Sequence, residues 1–237
     1  MNPNLEIILP VYNEEDNLRP LYDEITAALE GQDLEWQVLF VDDGSSDNSR
    51  EIIKELSANN STATGLLFKE NNGQSAAFAA GFEQAGGEMI VTMDADRQND
   101  PADIPKIIAP LTDYDMVAGY RANRRDSWLR RKASNIANKV RNWYTGDDII
   151  DTGCSLKAFR LEVVKKIPVF DGMHRFLPTL ARMKGYSVTQ VATNHRPRTA
   201  GETKYSNFGR LRKTIWDLWA VRWMQKRSIN YEIESKL

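Results

Sequence analysis

Over the first 120 positions, short apolar runs rich in β-branched and aromatic residues alternate with stretches whose apolar residues recur every third or fourth place. Leu5–Tyr12, Trp36–Val41, Ala63–Lys69, Met89–Asp96 and Asp115–Tyr120 read as strands. Between them, Leu18, Leu21, Tyr22, Ile25 and Leu29 keep helical spacing over 16–30, with Pro20 tolerated in the first turn and Gly31 as the stop. Ile52, Ile53 and Leu56 mark a second helix, capped by Ser46 or Asp47. A third runs from Ala76 to Ala85, where small residues allow close packing on a sheet, and a fourth starts at Pro101. Strand–helix alternation of this kind predicts an α/β fold, a mostly parallel twisted sheet with helices on both faces. Later, the pattern predicts a basic helix running to Tyr144, a strand over 151–160 entered through an acidic turn, a short helix ending at Lys184-Gly185, a strand over 186–194 and a helical tail over 208–227.

The polar residues that interrupt this pattern are acids at strand ends. Met89–Met93 runs into Asp94-Ala95-Asp96, and in an open parallel sheet ligands bind beyond the carboxyl ends of the strands. Asp94 and Asp96 can turn toward one hard cation, with Gln98 as a further oxygen, and oxygen-only ligation favours Mg2+ or Mn2+ over zinc. A solvated, helix-capping pair is the alternative for this motif in isolation. Val41-Asp42-Asp43-Gly44 repeats the arrangement: Asp43 is placed to meet a nucleobase NH or a ribose, while Asp42 braces the turn. Pro10, Tyr12 and Glu14 fall in the loop after the first strand, where a ring can stack on a base and a carboxylate can accept hydrogen bonds. No glycine-rich dinucleotide fingerprint or phosphate-binding P-loop follows any strand.

Composition narrows the class. A 237-residue chain with 41% hydrophobic residues can bury a full core. Cys154 stands alone, so no disulfide framework exists, and the absence of a signal-peptide pattern suggests a cytoplasmic chain. No apolar run approaches the roughly 20 residues that span a bilayer. The net charge is only -2, yet residues 121–143 carry eight Lys/Arg against Asp126 alone, and residues 196–227 carry nine against Glu202 and Asp217. Cations gathered this way attract phosphates.

Pro10-Val11-Tyr12-Asn13-Glu14, Val41-Asp42-Asp43-Gly44-Ser45, Asp94-Ala95-Asp96 with Gln98, Thr152-Gly153 and Glu202-Thr203-Lys204 stand in an order that resembles the family 2 inverting glycosyltransferases of the GT-A fold. The likeness is to the dolichyl-phosphate mannosyltransferase and bacterial polyprenyl-phosphate glycosyltransferase branch, and it covers roughly residues 5–210. It implies a Rossmann-like nucleotide-sugar-binding domain and a donor such as GDP-mannose held by Pro10, Tyr12, Glu14, Val41 and Asp43. It also implies that Asp94, Ala95, Asp96 and Gln98 hold the metal and sugar diphosphate, and that Arg198 and Lys204 close over the donor phosphates. Arg121 matches a phosphate-contacting arginine; Arg131 and Ser134 resemble acceptor-phosphate contacts. Arg97 and Asp100 depart from the family pattern, which favours an apolar residue and a proline there.

Asp151 is the obvious candidate base, but a monoalkyl phosphate is already an anion and needs little deprotonation, so with a lipid phosphate Asp151 orients groups instead. Asp96, Asp151 and Arg121 are therefore the expected catalytic set. Cys154 reads as packing, and His174 as structural or as a donor or metal contact. The expected organisation is a catalytic domain over 1–207 and a tail over 208–237, in which Trp216, Trp219 and Trp223 beside Arg and Lys suit a headgroup interface or a helix packed on another subunit of a homo-oligomer. The expected partners are a nucleotide-sugar donor, a lipid phosphate acceptor and the cytoplasmic face of a membrane or a membrane-anchored protein. A hydroxyl acceptor with Asp151 as base, or a noncatalytic nucleotide-sugar-binding subunit, is the rival reading. Nucleic acid is disfavoured because the basic segments carry no reading motif.

Overall fold

The computed structural model describes residues 3–122, 128–197 and 207–229, with the backbone alone for 128–135 and 207–213. Seven strands form one sheet: β1 (Leu5–Val11), β2 (Trp36–Asp42), β3 (Ala63–Leu67), β4 (Met89–Thr92), β5 (Met116–Arg121), β6 (Lys157–Arg160) and β7 (Val188–Thr193), in the spatial order β3-β2-β1-β4-β6-β5-β7. The neighbours β1–β2, β2–β3, β1–β4 and β5–β7 are parallel, as the alternation predicts. β6 is antiparallel to both β4 and β5. Two expected strands are shorter than predicted: β4 stops at Thr92, and residues 151–156 form a turn rather than the first half of a strand.

Alternate residues of the strands enter two cores, the period-2 consequence of the pleat. Leu5, Ile7, Leu9 and Val11 face α1 (Glu15–Leu29), α2 (Ser49–Asn59) and α4 (Ile104–Ile108). Ile8, Val41, Ile90 and Met116 face α3 (Gln74–Gln84), α6 (Leu161–Lys166), α7 (Leu177–Met183) and Val221 of α8 (Asn207–Arg227). Gly81 explains why α3 is rich in small residues: a Cβ there would stand 2.6 Å from the Ile8 side chain. α5 (Trp128–Thr145) and α8 pack on each other beyond the carboxyl edge of the sheet. Among the described residues no helix is long and apolar enough to cross a membrane.

The chain lays β1, β2 and β3 outward in one direction, then returns to place β4 on the other side of β1. The resulting crevice lies between the carboxyl ends of β1 and β4, where open α/β sheets bind ligands. Reversal of β6 brings its first residue, Lys157, opposite Thr92, the last residue of β4. Residues before Lys157 therefore join the same edge as Asp94 and Arg121.

Candidate active site

Three loops meet at the crevice. Asn13, with a positive φ of 53°, turns the chain after β1; its backbone N–H donates to Ser45 Oγ at 2.9 Å, and its side chain accepts from Ser46 N at 2.8 Å. The Glu14 N–H donates to Ser49 Oγ at 2.9 Å. The loops after β1 and β2 are thus fixed to each other before any ligand arrives. Asp42, wholly buried, accepts from Ser45 N and from the Arg50 guanidinium, the bracing task its position suggests.

Asp43 is buried, and its carboxylate holds the loop after β3: Oδ1 accepts from Asn72 N at 2.7 Å, and Oδ2 from Gly73 N at 2.9 Å and Asn71 Nδ2 at 3.0 Å. Burial raises its proton affinity, and the two backbone N–H groups oppose the rise. Val41 and Ala95, expected at the donor, point into the two cores, so ligand contact at those positions falls to backbone atoms. Pro10, Tyr12 and Glu14 are partly exposed beside them, and Glu14 adds its field to that of Asp94.

The Asp94–Asp96 loop leaves extended geometry as the metal reading requires, with Arg97 at φ 59°. Asp94 Oδ1 accepts from Gln74 Nε2 at 2.7 Å, its N–H donates to Ser155 Oγ at 3.2 Å, and Asp96 Oδ1 accepts from Gln98 N at 3.1 Å. Burial, then the charge of Asp96, pushes the Asp94 carboxyl up to about 6. Two repelling carboxylates in a poorly hydrated loop form a hard-oxygen donor set that a divalent cation would relieve. Among the described residues no three His, Cys, Asp or Glu side chains are arranged to cage a metal. That suits Mg2+ or Mn2+, which take one or two carboxylates and complete the shell with substrate phosphates and water.

Arg97 and Asp100, the departures from the family pattern, belong to an ion-pair network. Glu24 of α1 accepts from the Arg97 guanidinium (Nε at 3.2 Å) and from Arg196 at 2.6 Å, and Arg196 reaches Asp100 at 2.6 Å. Arg196 N also donates to Gln98 O at 2.8 Å, and Asn194 N to Asp103 Oδ2 at 2.6 Å. The acid loop is thereby stitched to the segment after β7. Glu24 and Arg196 escaped the sequence reading because they lie 172 positions apart and carry no motif.

On the far side of β4, Arg121 and Asp151 form a two-pronged pair, Nε–Oδ2 at 2.6 Å and Nη2–Oδ1 at 2.9 Å. Asp151 is buried and also accepts from Gly153 N and Arg121 N, so the carboxylate proposed as a base is committed to holding an arginine. Cys154 is buried against Thr193, as expected. His174 shares a 2.8 Å hydrogen bond with Ser75 Oγ, which also accepts from Gly172 N. Arg131 and Ser134 sit on α5, where the backbone alone is described; Arg198 and Lys204 lie outside the described residues.

Between the sheet edge and the helices α5 and α8 opens a cavity of about 820 Å³. Its floor carries Asp94, Gln74, Ser155, Lys157 and His174; its wall carries Ile136, Val140, Ile215, Leu218, Phe78 and Phe176. Lys157, which the strand pattern gave no reason to single out, is a buried cation on that floor.

Residues 6–168, more than half of the chain, match the description Glycosyl transferase family 2. The chain belongs to this family. Its fold is the GT-A type: it is similar to glucosyl-3-phosphoglycerate synthase from Mycobacterium tuberculosis in complex with Mn2+, uridine-diphosphate and phosphoglyceric acid, with a TM-score of 0.69 and 16% identity over 97% of this chain and 80% of that one. The complex of the same enzyme with Mn2+, UDP-glucose and phosphoglyceric acid gives 0.68 and 16% over 94% and 79%. That with Mg2+ and UDP gives 0.68 and 17% over the same shares. Identity this low speaks for the fold, and this family 2 chain shares it.

Proposed function

We propose that the protein is a metal-dependent inverting glycosyltransferase that moves a sugar from a nucleotide-diphosphate sugar to a lipid phosphate at a membrane surface. The observation that carries the acceptor class is the cavity: a polar floor at the strand ends beneath an apolar wall from α5 and α8 suits an anion on a hydrocarbon tail. The donor class is supported by family membership and by the UDP, UDP-glucose and divalent ions bound by the similar synthase.

In this reading Asp94 and Asp96, with Gln98, hold Mg2+ or Mn2+, which when bound offsets charge on the departing diphosphate. Pro10, Tyr12, Glu14, Asp43 and the backbone at Val41 and Ala95 border the nucleoside, and Arg198 and Lys204 attend the donor phosphates. Arg121, steered by Asp151, presents its guanidinium to the acceptor phosphate, and Arg131 and Ser134 are assigned to the same acceptor. A phosphate oxygen attacks the anomeric carbon as the bond to the diphosphate breaks, and the electron pair leaves with the nucleoside diphosphate. No proton has to be removed from the acceptor, which agrees with an Asp151 already paired to arginine. A second reading, a small phosphorylated acceptor, is favoured by the phosphoglyceric acid bound to the similar synthase.

Calorimetry with Mn2+ and UDP- or GDP-sugars, on the wild type and Asp96→Ala, tests the donor half; metal-dependent binding lost in the variant is expected. Polyprenyl phosphate and phosphoglycerate, offered in parallel, then test the acceptor half. A glycosyl lipid of inverted configuration is expected. Product from phosphoglycerate alone selects the second reading, a retained configuration sinks direct displacement, and no donor binding sinks the transferase assignment.

A further inference from the structure

Lys157 is 2% exposed, and its ammonium donates to the Cys154 carbonyl. Among the described residues no carboxylate lies within ion-pair distance of it. Burial weakens its hold on the proton, the nearby Cys154, Asp94 and Asp151 oppose that through space, and Arg121 adds to it. A cation stripped of water is normally repaid by a paired carboxylate with good geometry, which this one lacks. Position gives the reason: Lys157 lines the cavity floor beside Asp94 and Ser155, where the polar end meets the apolar wall.

We propose that Lys157 is a second cation, besides Arg121, that receives the anionic head of the acceptor, a phosphate monoester on an apolar tail; this rests on the lipid-phosphate reading above. An acceptor anion arriving here approaches Asp94, Asp96 and a sugar diphosphate, all of the same sign. Arg121 already spends Nε and Nη2 on Asp151. The ammonium of Lys157 has three N–H groups, of which the Cys154 carbonyl takes one. The others supply charge-assisted hydrogen bonds to phosphate oxygens in a site where water competes poorly. An uncharged alcohol on the same tail gains little from that cation, so Lys157 strengthens the preference for phosphate over hydroxyl acceptors.

The test uses the full chain in mild detergent, with farnesyl phosphate and farnesol as probes that share a tail and differ in the head. Tryptophan fluorescence follows binding in the wild type, Lys157→Met and Lys157→Arg. The wild type is expected to bind farnesyl phosphate at least about tenfold more tightly than farnesol. Lys157→Met should lose most of the preference, to about threefold or less, while retaining Mn2+-dependent nucleotide binding, and Lys157→Arg should keep more of it. Because Met replaces a poorly paired buried charge with an apolar chain of similar length, the variant should melt at or above the wild-type temperature. A Met variant that keeps the wild-type preference overturns the assignment and leaves the lipid-phosphate reading intact. One that melts well below the wild type, or does not fold, shows a structural cation and also overturns it. A wild type that binds neither probe overturns the lipid-phosphate reading along with it.

Discussion

Asp43 and Asp94 are both carboxylates just beyond strand ends, and their surroundings give them opposite work. Asp43 meets two backbone N–H groups and an amide, which hold its charge in place and make it part of the framework. Asp94 is buried and faces Asp96, and its hydrogen bonds with Gln74 and Ser155 do not offset this, so its carboxyl rises from 3.8 to about 6. A carboxyl raised on folding favours the protonated folded state: its contribution is complete below the ordinary value near 3.8 and is lost as pH climbs through about 6. With Asp94 as a metal ligand, the metal-free protein should lose stability across that interval, and Mn2+ should restore it only above it. Thermal melts at about pH 5 and about pH 7.5, with and without Mn2+, check this; the metal-induced gain should be larger at the higher pH. An equal gain at both would remove Asp94 from the metal site. Sequence reading found these acids because they break apolar runs. It passed over Lys157 because one lysine among Leu156, Ala158 and Phe159 looks like the solvated face of an alternating strand, whereas in the sheet it is buried opposite Thr92.

At the scale of elements, apolar periodicity was enough to place all seven strands and the helices of the first 120 residues, because each strand enters one of two cores and each helix buries one stripe. Strand direction was not legible: a buried run has the same pattern whichever way it points, so the antiparallel β6 emerged only with pairing. The Arg97–Glu24–Arg196–Asp100 network belongs to this scale, since it ties α1, the acid loop and the segment after β7. The side chains of its members are 15–38% exposed, so Glu24→Ala should cost only about 1 kcal/mol of stability after solvent screening. The larger effect should fall on the site, because two arginines are released at once from the loop carrying Asp94 and Asp96. Calorimetry should show Mn2+-nucleotide affinity weakened by about three- to tenfold, beyond what so small a stability loss implies. Unchanged affinity would mean that the loop keeps its shape without the network. Gly44 offers a sharper structural check. Its φ is 71° and an added Cβ would stand 2.6 Å from Asn71 N, so Gly44→Ala should destabilise the fold by about 2 kcal/mol or more in urea unfolding.

Across the whole molecule, the near-neutral net charge conceals a division along the sequence. The two cation-rich segments contain α5 and α8, which pack together beside the cavity mouth. α8 is anchored by buried Val221, while Trp216, Trp219 and Trp223 remain more than half exposed among Arg222, Lys226 and Arg227. On α5, Ile136, Val140 and Trp143 are likewise exposed, next to Lys139. Soluble surfaces seldom leave so many large apolar side chains uncovered together, whereas tryptophan with lysine and arginine matches the headgroup region of an anionic bilayer. A lipid phosphate could then pass from the bilayer along the apolar wall to the cavity floor without crossing water. The wild type should therefore bind phosphatidylglycerol vesicles more tightly than phosphatidylcholine vesicles, and salt should weaken the difference. Replacing Trp216, Trp219 and Trp223 by serine should reduce vesicle binding by about tenfold or more while preserving Mn2+-dependent nucleotide binding, which depends on the opposite side of the crevice. If vesicle binding persists and sedimentation instead shows that the triple variant breaks an oligomer, the occupant of this face is a second copy of the chain, and the acceptor must reach the cavity by another route.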